Sequence, residues 1–125
     1  MNDNDYNKQM NKDTYSLRKR AMGFIYDMKE YGFILPRIRV RITNDDRHNV
    51  AGWGSDKSIW IAEKAVGMSD DFLRQLVAHE LVHAVIDYKG HDEDCGLMKP
   101  AIGTPMNKKD CYKHLSKYIK LNLVY

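Results

Sequence analysis

The sequence predicts an α+β fold. A small, mostly antiparallel or mixed sheet of three to four strands packs on one buried helix, with a further helix at each end. Three observations predict it. Apolar residues between Thr14 and Tyr31 recur every three or four positions, two stretches between Arg37 and Ala62 alternate in polarity, and Phe72 to Ile86 is apolar on most sides. The 125 residues, 43% hydrophobic and 30% charged, suit one globular domain, which we assign to 14–125. Residues 1–13, polar and rich in Asn and Asp, are expected to form a loose leader.

In the first helix, Leu17, Ala21, Phe24, Ile25 and Met28 share a face, Thr14 is placed as N-cap and Gly32 as terminator. After Pro36, Arg37-Ile38-Arg39-Val40-Arg41-Ile42 reads as a half-buried strand, and Asn44-Asp45-Asp46 as a turn. A second extended piece covers His48 to Gly54. A third, Lys57 to Ala62, follows the Ser55-Asp56 turn and puts Ile59 and Ile61 on one face. Ser69 then caps the second helix, with Asp70 and Asp71 at the positive end of its dipole and Gly90 at its end. A Gly/Pro/Thr loop runs to Pro105, and Asn107 to Leu121 is the last helix, its inner stripe Cys111, Leu115, Tyr118 and Ile119.

Composition narrows the chemistry. A net charge of +3 allows an acidic partner without requiring one, and no apolar run is long enough to span a membrane. Met1 to Asn11 has no signal-peptide core, so a cytoplasmic location is expected, with virion association as the alternative. Cys95 and Cys111 are too few for a disulfide framework and read as thiols or metal ligands.

The chemistry concentrates at His79-Glu80-Leu81-Val82-His83, an H-E-x-x-H pattern within the buried helix. Residues four apart share a helix face, so both imidazoles can reach one Zn²⁺, and Glu80 can reach a water beside it. Polar groups inside an apolar helix also need a partner, and a metal provides one. A catalytic zinc site takes three protein ligands. The third here is read as His91, which Gly90 lets the chain turn back to present; Asp92, Glu93 and Asp94 are its competitors.

With these residues the chain resembles the zincin metallopeptidases, particularly the metzincins, from roughly Asn49 to Leu121. The resemblance implies a zinc-dependent endopeptidase with His79, His83 and His91 as ligands and Glu80 as general base. It also implies a methionine turn at Leu97-Met98-Lys99-Pro100 and a closing helix from Asn107. Metzincins have five residues between the second and third histidines, where this chain has seven. Gly90-His91 followed by acidic residues is also similar to the SprT-like proteases, which act on DNA-bound proteins, and both comparisons nominate the same three ligands. The archaemetzincins suggest a second, structural zinc, here on Cys95, Cys111 and His114 with Asp92, against the plainer reading of two buried thiols. The oxyanion would be held mainly by zinc, with Tyr88 and Tyr112 as assisting candidates.

The expected partner is a protein or peptide substrate. In zincins it pairs with an edge strand, by chain order His48 to Gly54, where Gly52 and Gly54 admit a second backbone and Trp53 either lines a pocket or packs as a core aromatic. Arg37, Arg39 and Arg41, with Arg47 near, form a basic row; nucleic acid is the less favoured partner, because no aromatic interleaves that strand. The alternative to the enzyme is a zincin-like structural or interaction module, for example a virion or assembly component. An intact Glu80 speaks against it.

Overall fold

A computed structural model describes residues 3–43, 52–55, 57–86, 96–98 and 104–122; for 3–13 and 52–55 it describes the backbone path. Helix α1 spans Asp3–Tyr31. The loose leader and the Thr14 cap are therefore corrected. Residues 3–13 are helical, and Thr14 lies inside the helix, its hydroxyl donating to Glu63 Oε1 at 3.4 Å. No Gly or Pro occurs between Asn2 and Met22, so the weakly helical Asn/Asp stretch extends a helix whose later turns are held by packing. Leu17, Ala21, Ile25 and Met28 make that packed face, all buried.

Gly32 ends α1 as expected. The Phe33 N–H bonds to Met28 O at 3.0 Å and the Gly32 N–H to Lys29 O at 3.1 Å, the paired bonds of a Schellman cap. Gly32 has φ +124°, and a Cβ there would lie 2.6 Å from Asn122 O.

Strands β1 (Arg39–Thr43), β2 (Gly52–Ser55) and β3 (Ser58–Ala62) form a three-stranded sheet in the order β1-β3-β2. The β2–β3 hairpin is antiparallel, whereas β1 runs parallel to β3, so the sheet is mixed rather than mostly antiparallel. Burial explains the order. Around Trp60, the other four residues of β3 are buried, which asks for a neighbour on either side, while the arginine-bearing β1 tolerates an edge. Arg18 caps that edge, its Nε donating to Val40 O at 3.1 Å. Lys57, in the hairpin connection, has φ 62°. Residues 44–51 and the Gly90 terminator lie outside the described residues.

A 3₁₀ turn, Glu63–Gly67, leads to α2 (Asp70–Ile86). Ser69 caps it: the Phe72 N–H donates to Ser69 Oγ at 3.1 Å. Arg20 of α1 holds the same end through Asp70 at 2.9 Å and the Val66 and Met68 carbonyls. Ten residues of α2 are buried, including Gln75, His79 and Glu80.

Helix α3 spans Lys108–Leu115, capped by Asn107 Oδ1 on the Asp110 N–H at 2.8 Å. It is shorter than the predicted helix to Leu121. The chain instead turns at Ser116, and Lys120 to Asn122 run beside Gly32 to Ile34, with Phe33 and Leu121 bridged. Backbone partners across the fold outcompete the last helical turn; Cys111, Leu115 and Ile119 are buried all the same. These side chains join Val40, Ile59, Ile61, Leu73, Val77 and Leu81 in one core.

Candidate metal centre

His79 and His83 sit one helical turn apart on α2, and their Nε2 atoms are 3.2 Å apart. Two nitrogens bound at about 2.0–2.1 Å to a tetrahedral zinc would stand about 3.3 Å from each other, so the spacing suits a shared ion. His79 is fixed from behind. Its Nδ1 is 2.7 Å from Leu97 O, and a carbonyl only accepts, so Nδ1 carries the proton and the neutral ring keeps a lone pair on Nε2. A backbone carbonyl on the far nitrogen is the usual support of a metal-binding histidine.

Glu80 completes the group. It is 3% exposed; its Oε1 is 3.8 Å from His79 Nε2, and its Oε2 is buried with no hydrogen-bond partner among the described residues. Burial pushes the carboxyl up to about 8. A carboxylate held without a partner costs stability, and a nearby cation would offset that cost. Among the described residues, His79, Glu80 and His83 are the one group of three metal-type side chains within reach of each other, with ligand atoms inside 4.8 Å. The donor set, the nitrogen spacing and the orphaned oxygen all fit a divalent ion.

His91 and its competitors Asp92, Glu93 and Asp94 lie outside the described residues, as do Tyr88, Cys95 and Arg47. Met98 is fully buried, directly after the residue whose carbonyl orients His79. For the second site, Cys111 is a free, buried thiol pushed up to about 12 by desolvation, with Arg74 and Asp71 of α2 as the charges acting on it. His114 is half-buried, and a Cβ on Gly96 would stand 3.8 Å from its Nε2. Burial first, then Lys117 and Lys113, lower its pKa. Tyr112 does not present a free hydroxyl: it donates to Asp27 Oδ2 at 2.5 Å, and its ring packs against Tyr31 and Phe33.

Gly52, Trp53 and Gly54 fall on β2, an edge strand antiparallel to β3 among the described residues. Two further residues support α2 and its histidines. The Leu97 carbonyl belongs to the backbone and leaves no side-chain signal. Gln75 was legible: it precedes His79 by four in an apolar run, is 2% exposed, and its Oε1 accepts the Met106 N–H at 2.9 Å. The Met106 side chain in turn crowds Gly96, where a Cβ would come within 3.1 Å of it.

Compared with known proteins, the chain matches no family model, no curated protein and no solved structure. No described helix is long and apolar enough to cross a membrane.

Proposed function

We propose that the chain is a zinc-dependent peptidase of zincin-like architecture, with His79, His83 and His91 holding the ion and Glu80 as general base. The observation that carries the reading is the His79–His83 pair, 3.2 Å apart with His79 fixed by Leu97 O, beside a buried glutamate with an orphaned oxygen. When bound, the ion supplies an acidified water and polarises the scissile carbonyl. His79 and His83 orient by their helix register, and His79 keeps Nε2 unprotonated by giving its proton to a carbonyl. Glu80 accepts a proton at its carboxylate and returns it to the leaving amine. The apolar residues around it exclude bulk water and raise the carboxyl above its ordinary value, and a bound cation beside it would favour the ionised form that accepts a proton. Among the described residues β2 is an edge strand, a position at which an extended peptide can add by backbone pairing.

Zinc content and peptide-library cleavage of wild type and Glu80→Gln test this reading. The expected result is one zinc in both proteins and a loss of about 10²–10⁴-fold in turnover in the variant. One zinc in both with no cleavage by either would favour the structural module instead. His91→Ala should lose the metal while Glu93→Ala keeps it; the reverse would replace the third ligand.

A further inference from the structure

The basic row on β1 acquires a new meaning from the sheet register. Arg39 pairs with Ser58 and Arg41 with Trp60, so these four residues share one face, opposite Val40, Ile59 and Ile61 of the core. Trp60 is also the register partner of Trp53 across the hairpin. The aromatic group that β1 lacks is therefore supplied by the next strand, directly beside Arg41.

We infer that this outer face of the sheet binds single-stranded nucleic acid, with Arg39 and Arg41 on phosphates, the exposed Arg37 just before β1 as a third cation, and Trp60 as a stacking surface for a base. Arg37, Arg39 and Arg41 are all exposed, and Trp60 is half-buried, so part of the indole reaches solvent. Alternate residues of a strand are about 6.6 Å apart, an interval that an extended sugar–phosphate chain can follow. The three pairs on this face, Arg39–Ser58, Arg41–Trp60 and Thr43–Ala62, contain no carboxylate to repel a polyanion. Ser58 and Ala62, two positions to either side of Trp60 on β3, are buried, so the part of β3 that reaches solvent on this face is Trp60. Cations tracking a backbone beside an aromatic surface are what sequence-tolerant single-strand binding requires. The inference is independent of the metal centre.

Trp60 lies on this face and Trp53 is the one other tryptophan of the sequence, so the fluorescence of a Trp53→Phe protein reports on this face. The experiment titrates the full chain with oligo(dT) and oligo(U) of about 20 nucleotides, a length that exceeds one such face. Trp53→Phe leaves Trp60 as the sole indole, and the expected result is that its emission is still quenched. Three phosphate contacts should give a slope of log K against log salt of about −2, falling to about −0.7 in Arg39→Gln/Arg41→Gln. That exposed pair should also weaken binding about tenfold or more in 0.1 M salt. Trp60→Leu should weaken it roughly five- to 100-fold. Comparison of oligo(dT) with oligo(U) separates a DNA from an RNA preference. The inference is overturned if neither oligonucleotide quenches Trp60 at low salt, or if the double arginine variant, folded by circular dichroism, binds as wild type. Duplex DNA or heparin binding equally tightly would overturn it too.

Discussion

His79 has two jobs that depend on one proton. Its Nδ1–H is committed to Leu97 O, which leaves Nε2 facing His83 with a lone pair. The register of α2 brings the two rings together, but the loop carrying Leu97 decides which nitrogen is available. The residues leading into α3 are held to α2 as well, where Gln75, one turn before His79, accepts the Met106 N–H. Gln75→Leu would keep the volume roughly constant and remove the acceptor, leaving a part-buried donor without its partner. The expected cost is about 1–3 kcal/mol in urea unfolding. Zinc affinity measured on the same variant shows how far the anchoring of Met106 reaches the proposed metal site.

Helix ends decide where the elements meet. The end of α1 is a cap that doubles as a docking point: Gly32 closes the Schellman bonds, and its carbonyl then accepts the Asn122 N–H at 2.8 Å. An alanine there would combine an unfavourable φ of +124° with a Cβ 2.6 Å from Asn122 O. Gly32→Ala is expected to destabilise by about 1–3 kcal/mol, measured as a lower urea midpoint at unchanged m-value. The close approach of 120–122 also explains why α3 stops at Leu115. Helical propensity over Ser116 to Leu121 is weaker than the backbone pairing that Gly32 to Ile34 offers.

Across the whole molecule, α1 and α3 are joined by Asp27, which accepts from the Tyr112 hydroxyl and pairs with Lys108 Nζ at 2.9 Å. The Tyr112 hydroxyl first, then Lys108, hold the Asp27 carboxyl below its usual value. A depressed carboxyl contributes stability that is present above the unfolded value of about 3.9 and lost as pH falls below it through the folded value. The stability of the protein should therefore drop with acid below about pH 4 more steeply in wild type than in Asp27→Asn. Thermal unfolding of both proteins, without added metal, across pH 3 to 6 checks this. Arg20 with Asp70 ties α1 to the start of α2 in the same way, but on the surface, where such pairs contribute little.

Much of this was legible in periodicity and spacing. The packed face of α1, the alternation of β1, the Ser69 and Asn107 caps and the buried H-E-x-x-H helix are local consequences of residue type, and local rules recover them. The sequence by itself determined that His79, Glu80 and His83 share one buried helix, because a spacing of four admits no other face. Tertiary structure decided what no local rule contains. Strand order put Trp60 beside Arg41, a carbonyl eighteen residues away chose the tautomer of His79, and Gly32 to Ile34 cut short the last helix. The physical reason is the same in each case: a hydrogen-bond partner or a strand neighbour far along the chain is chosen by the packing of the whole core.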